Sequence, residues 1–292
     1  MNILIFGDTS DWNIRDFSFE KINPKILAKI KKADYVIYNL EGLIRKKNKS
    51  YNLALRSNTV KNIFLKSLLK ITGKEQPIVS SDADIISLLR LNKNTIVTLA
   101  NNHIKDLGYK GYKNTVDILD QNKIQYIGAG ENNRKASEDV ILDDHALINC
   151  NFVGSEKFGI KFRLYNATRK DYGASYQTYE RLRLKIRGYH AKGKKVILIM
   201  HSGKEMPDNE KDMRIDLKKI RSLDADYTVL HHFHRYISTS YEKDNIFCIG
   251  NFIFHRPGKL KDSRNDCFIG ISDKGCSKYF IDGVRGHMHG QA

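Results

Sequence analysis

The chain has 292 residues, 41% of them hydrophobic and 28% charged, a balance that excludes a disordered or low-complexity polymer and leaves room for a substantial buried core. No apolar stretch reaches the length of a membrane span, and Met1 leads almost directly into the first apolar run without a basic leader, so the expectation is a cytoplasmic protein whose link to the cell envelope, if any, is peripheral. Four cysteines without Cys-x-x-Cys spacing argue against a zinc ribbon or a disulfide framework. The net charge of +17, from 50 basic and 33 acidic residues, favours an anionic substrate or polymer; nucleic acid is compatible with that charge, but no recognition-module signature accompanies it.

The first apolar run, residues 2–6, reads as a buried strand and ends in Gly7-Asp8. A second, residues 35–38, ends in Asn39-Leu40-Glu41. Ser80-Ser81-Asp82 is a cap-like start to a helix with apolar residues from Ile85 to Leu91. The run at 95–99 ends in Asn101-Asn102-His103. A helix over 109–122 then delivers the chain to a strand at 125–127 and the turn Gly128-Ala129-Gly130. Residues 151–174 read as a long loop with a short strand, and 176–191 as a helix made basic by Arg181, Arg183, Lys185 and Arg187. The runs at 195–200 and 227–230 end in His201 and in His231-His232-Phe233-His234. Shorter pieces at 246–249, 252–254, 268–271 and 279–281 read as hairpins completing a second sheet. We expect one domain over 1–284 and a frayed tail over 285–292, where Gly286-His287-Met288-His289 lacks rigid support for metal binding.

Five apolar runs thus end in carboxylate, amide or imidazole groups. In open α/β sheets ligands gather beyond the carboxyl ends of strands, so these groups can converge on one place. Asp8, Glu41, Asn102, His201, His232 and His234 are the donor set that one or two divalent ions require. Nitrogen and oxygen donors without thiolate favour Mn, Fe or Zn. Singly, each residue has an ordinary alternative: Asp8 as a helix cap, Asn101 and Asn102 as turn formers, His201 as a core imidazole.

The order Gly-Asp, acid, Asn-His, His, His-x-His resembles the calcineurin-like metallophosphoesterases. The spelling is closer still to the CapA-type, poly-γ-glutamate capsule biosynthesis branch: Asn39-Leu40-Glu41, Ala100 to His103 with Asp106 and Gly108, Gly128 to Gly130, His201 to Glu205, His231 to His234, and Gly250 to Phe254. The resemblance implies an α/β fold of two packed mixed sheets flanked by helices, a four-layer αββα sandwich, and a metal-dependent hydrolase acting on a phosphoester or anionic polymer. It further implies that Asp8, Glu41 and His234 hold one metal and that Glu41, Asn102, His201 and His232 hold the other, with Glu41 as the bridge. His103 would be the catalytic general acid. Asn39, Asn101, Glu205, His231 and Asn251 would support these groups or touch substrate.

Three positions depart from the pattern. The superfamily's Asp-x-His opening stands here as Asp8-Thr9-Ser10, which leaves one metal with a ligand fewer. Leu230 and Phe233 replace a Gly and a Pro around the histidine cluster. Two alternatives remain on these residues: a non-catalytic polyanion-binding protein of the same fold, and a nuclease or nucleotide phosphodiesterase.

Overall fold

Residues 3–6 are apolar at every position because both faces of their strand are covered. Ile3 and Ile5 pack into one buried cluster, Leu4 and Phe6 into another. The computed structural model describes residues 1–11, 22–45, 79–82, 84–153, 155–157, 160–162, 165–254, 266–284 and 287–291. In chain order its first elements are β1 (Asn2–Thr9), α1 (Pro24–Lys32), β2 (Tyr35–Leu40), β3 (Leu43–Arg45), β4 (Ser80–Asp82), α2 (Ile85–Leu89), β5 (Thr95–Thr98), α3 (Gly108–Gln121), β6 (Gln125–Ile127), β7 (Ala129–Gly130), α4 (Asn133–Ala136), β8 (Val140–Leu142) and β9 (His145–Asn151). There follow β10 (Ser155–Lys157), β11 (Ile160–Phe162), β12 (Gly173–Ala174), α5 (Tyr179–His190), β13 (Lys195–His201), α6 (Leu217–Arg221), β14 (Tyr227–His231), β15 (Ile246–Cys248), β16 (Asn251–Ile253), β17 (Asp266–Ser272), β18 (Gly275–Val284) and β19 (His287–Gln291).

Two sheets dominate. The first has the order β19-β18-β17-β1-β2-β5-β6, with β16 also paired to β1; the second has the order β15-β14-β13-β9-β8. β1, β2, β5 and β6 are mutually parallel, as are β9, β13, β14 and β15, so the five predicted ligand-bearing ends all lie at carboxyl edges of parallel strands. Ile3, Ile5, Ile37 and Ile96 of the first sheet meet Leu147, Ile197, Ile199 and Val229 of the second in the layer between them. The opposite face of the first sheet, with Phe6, Tyr38 and Val97, packs on Ile26 and Ile30 of α1 and on Val116 and Leu119 of α3. The outer face of the second, with Ile148, Leu198 and Leu230, packs on Leu182 and Ile186 of α5 and on Leu217 and Ile220 of α6. The result is the expected layering of helix, sheet, sheet and helix. No helix among the described residues is long and apolar enough to cross a membrane.

Three local expectations differ from the structure. Ser80-Ser81-Asp82 is not a helix cap: these residues form β4, paired in parallel with β3, and Asp84 precedes α2 without a side-chain cap bond. Pairing engages the backbone of residues 80–82 in a strand and leaves the helix to start after Asp84. The C-terminal pieces do not complete the second sheet either. Only β15 joins it, while β16 and β17 pair with β1 and β18 with β17, extending the first. Finally, where a frayed tail was expected, residues 287–291 pair antiparallel with β18 as an edge strand.

Candidate metal centre

A bulge in β1 sets the position of Asp8. Ile5 pairs with Ile37 on the inter-sheet face and Phe6 with Tyr38 on the outer face, but the register then shifts and Asp8, not Gly7, stands opposite Asn39. One extra residue therefore turns Asp8 from the outer face to the inter-sheet side. Gly7 permits this because a Cβ there would fall 1.9 Å from the Gly250 carbonyl oxygen, which accepts the Asp8 N–H at 3.2 Å. Asn39 Nδ2 donates to Asp8 Oδ1 at 2.6 Å, and Thr98 Oγ1 donates to Asn39 Oδ1 at 3.2 Å, which fixes the orientation of the amide.

The Asn101-Asn102-His103 turn is pinned from both sheets. Asn101 Nδ2 donates to the Leu40 carbonyl at 2.8 Å, and Asn101 Oδ1 accepts the His103 N–H at 3.0 Å. From the second sheet, Asn149 Oδ1 accepts the Ala100 N–H at 2.9 Å. The Gly128 turn exists to admit this contact, since a Cβ at Gly128 would lie 1.8 Å from Asn149 Oδ1. So held, Asn102 brings Oδ1 to 2.8 Å from His201 Nε2, and His103 turns Nδ1 to Asp106 Oδ2 at 2.7 Å and Nε2 toward Glu41 Oε1 at 3.6 Å.

On the second sheet, His201 and His231 share the inter-sheet face with Ile199 and Val229 and are register partners at the ends of β13 and β14. A regular strand would turn His232 away. Instead His232 has φ +96° and His234 φ +54°, conformations that residues with a Cβ rarely adopt and that cost about 1–3 kcal/mol each. This irregular path brings His231, His232 and His234 to one side and drives Phe233 into the outer core, under Gly203, where a Cβ would meet the Phe233 ring at 2.5 Å. Phe233 is thus an anchor for the loop.

Two buried groups of donor atoms result, Asp8 with Glu41 and His234, and Glu41 with His201 and His232; within each group the atoms lie within 4.8 Å of one another. Glu41 is common to both. Its Oε1 is 3.5 Å from His234 Nε2 and 4.0 Å from His201 Nε2, too far for hydrogen bonds. Two donors each about 2.1 Å from a shared ion lie roughly 3.0–3.4 Å apart at octahedral or tetrahedral angles and about 4.2 Å apart when opposed. The observed spacings fit an ion between the groups. So does Asp8 Oδ2, a buried atom without a hydrogen-bond partner among the described residues.

The electrostatics suit the same use. Burial, followed by the neighbouring His232, pushes the His201 imidazole well below its usual range, and burial brings His232 down to about 4. Both therefore present lone pairs at neutral pH. Burial alone would raise the Asp8 carboxyl, but its hydrogen bond with His231 and the charges of His234 and His231 outweigh that and keep it ionised.

The structure brings together Asp8, Glu41, Asn102, His103, His201, His232 and His234. Of the supporting residues, Asn39 and His231 contact Asp8, and Asn251 Oδ1 lies 3.0 Å from His234 Nδ1 while its Nδ2 donates to the His234 carbonyl. Asn101 holds the backbone of Leu40 and His103. Glu205 is half-buried and acts on His232 through its charge. Ser10 Oγ is 3.0 Å from Ser81 Oγ. Sequence reasoning assigned no role to Asp106 or Asn149. The spacing of Asp106 three residues after His103 was the available signal; Asn149 sits inside an apolar strand and gave none.

Two packed α/β sheets with imidazole, amide and carboxylate groups at adjoining strand ends define a metallophosphoesterase-type fold. A crystal structure of a Staphylococcus aureus protein described as a 5′-nucleotidase, in complex with α-ketoglutarate, has that fold and matches with a TM-score of 0.51 at 14% identity, over 95% of this chain and 54% of its own. The family model described as bacterial capsule synthesis protein PGA_cap matches residues 4–256, and the chain belongs to that family. Capsule biosynthesis protein CapA of Bacillus anthracis is 27% identical over 259 residues, 85% of this chain and 56% of that protein. The chain spans little more than half the length of either relative.

Proposed function

We propose that the chain is a metal-dependent hydrolase that cleaves a phosphoester or related bond in an anionic substrate or polymer of capsule synthesis. The observation that carries this reading is Glu41, one buried carboxylate shared between two groups of imidazole and carboxylate donors. Asp8, Glu41 and His234 would hold one divalent ion, and Glu41, Asn102, His201 and His232 the other, with Mn, Fe or Zn the ions that suit nitrogen and oxygen donors. When bound, such ions supply positive charge to the phosphoryl oxygens and an acidified water.

The chain's own groups do the rest. Asp106 accepts the Nδ1 proton of His103, so Nε2 is the atom that exchanges a proton with a leaving oxygen at the centre. Asn39 and His231 fix the Asp8 carboxylate, and Asn251 accepts the His234 Nδ1 proton and leaves Nε2 directed at Glu41. Exposed Arg181 and Arg187 on α5 and Lys218 and Lys219 on α6 are in keeping with an anionic substrate.

The test is elemental analysis with bis-p-nitrophenyl phosphate hydrolysis in added Mn, on the wild-type chain and on His201→Ala and His103→Ala. The proposal expects one or two equivalents of metal and measurable turnover in the wild type, both lost in His201→Ala. His103→Ala keeps the metal and loses turnover. A wild-type chain with neither metal nor activity would favour the non-catalytic polyanion-binding reading. Nucleic-acid binding that falls steeply with salt would favour the nuclease.

A further inference from the structure

Asp266, the first residue of β17, is buried and belongs to none of the groups assigned above. The backbone N–H of Tyr236, two residues after His234, donates to its Oδ1 at 3.1 Å, and the backbone N–H of Asn251 donates to the same carboxylate. One side chain therefore holds both the segment that follows His234 and the residue that contacts the His234 ring. The packing around it leaves little slack. A Cβ at Gly250 would fall 1.8 Å from Asp266 Oδ1 and 2.7 Å from the Arg235 carbonyl carbon, and a Cβ at Gly7 would meet the Gly250 carbonyl from the other side. Gly250 is in close contact with the β1 bulge, with Arg235 and with the Asp266 carboxyl.

A buried carboxyl group is a costly filler, since burial pushes Asp266 well above the usual carboxylate range and an apolar residue of similar volume would occupy the space without desolvating a polar group. What an apolar residue cannot do is accept two N–H groups, and buried donors left unmatched carry a desolvation penalty. We infer that Asp266 is a positioning residue for His234: it fixes the backbone at Tyr236 and Asn251 so that the Asn251 amide meets His234 Nδ1 and directs Nε2 to Glu41. This rests on the reading of Asp8, Glu41 and His234 as a metal-binding group. It carries a consequence that a role in general stability does not. His201 takes its place from β13 and Asn102, a different set of supports, so loss of Asp266 acts on one ion and spares the other.

The experiment titrates Co²⁺ into the wild-type chain, Asp266→Leu, Asp266→Asn and Asn251→Leu by calorimetry, with circular dichroism to establish folding. In Asp266→Leu one binding step weakens by about 10–100-fold and the other stays within about twofold. Asn251→Leu reproduces that selective loss, and Asp266→Asn, which keeps an acceptor oxygen, falls between Asp266→Leu and the wild type. Unchanged binding in Asp266→Leu, or equal weakening of every step, overturns the inference. Should Asp266→Leu fail to fold, unchanged binding in both Asp266→Asn and Asn251→Leu overturns it equally. A wild-type chain that takes up no Co²⁺ overturns the metal centre itself, whereas a wild-type chain that binds Co²⁺ with variants that bind it identically overturns only the role of Asp266.

Discussion

Replacing Gly7 by Ala tests whether the β1 bulge places Asp8. The added methyl would fall 1.9 Å from the Gly250 carbonyl oxygen and 2.8 Å from its carbon, both backbone atoms that no rotamer change can move. Either β1 or the Gly250-Asn251 segment must shift. The first course displaces Asp8 from Asn39 and His231, and the second displaces Asn251 from His234. Overpacking of this kind costs about 1–3 kcal/mol, which for a chain of this length lowers the melting temperature by roughly 2–10 °C. The diagnostic result is a loss of metal affinity larger than the loss of stability explains. Thermal melts with and without Mn²⁺ measure both, and the metal-induced rise in melting temperature should shrink in Gly7→Ala. Gly188→Ala is the control. Gly188 lies in α5 with nothing within 4 Å of an added Cβ, so Ala should raise stability by about 0.5–1 kcal/mol and leave the metal response unchanged. Wild-type melting and metal response in Gly7→Ala would refute the argument that the bulge positions Asp8.

The metal-free protein should lose stability as the pH falls. His232 and His201 have folded pKa values below the unfolded value of 6.5, so between about pH 6.5 and 4 the unfolded chain binds more protons and stability declines with pH; His232 alone accounts for on the order of 3 kcal/mol. Asp8, also depressed, extends the loss to lower pH. A melting temperature that stays flat from pH 7 to 4 would contradict this. Asp106→Asn should leave metal content intact and reduce turnover at least tenfold, because His103 loses the negative charge that holds its Nδ1 proton and supports a positive ring; unchanged turnover would remove Asp106 from the mechanism. Glu41→Gln should lower the affinity for both ions together, measured by elemental analysis after dialysis, and loss of a single ion would show that Glu41 does not bridge.

The apolar runs before Asp8, Glu41, Asn102, His201 and His231 were readable as buried strands because burial on both faces leaves an unbroken apolar signature. What periodicity cannot convey is a break in it. The Gly7 bulge changes the face on which Asp8 lies, and the positive φ of His232 sets three histidines on one side; both depend on contacts with Gly250 and Phe233, far away or hidden in the sequence. Ser80-Ser81-Asp82 misled for a related reason, since residues that cap helices also pair as a short strand when β3 supplies the partner. The return of β16, β17 and β18 to the first sheet left no local trace, because a strand's pattern states that it is buried and not which sheet covers it.

The central claim, two ions bridged by Glu41, is tested most directly by anomalous X-ray diffraction from a crystal of the wild-type protein grown with Mn²⁺. The account predicts two anomalous peaks about 3.5–4 Å apart on either side of the Glu41 carboxylate, one against Asp8 and His234 and the other against His201 and His232. Peaks elsewhere, or none at this carboxylate, would contradict it.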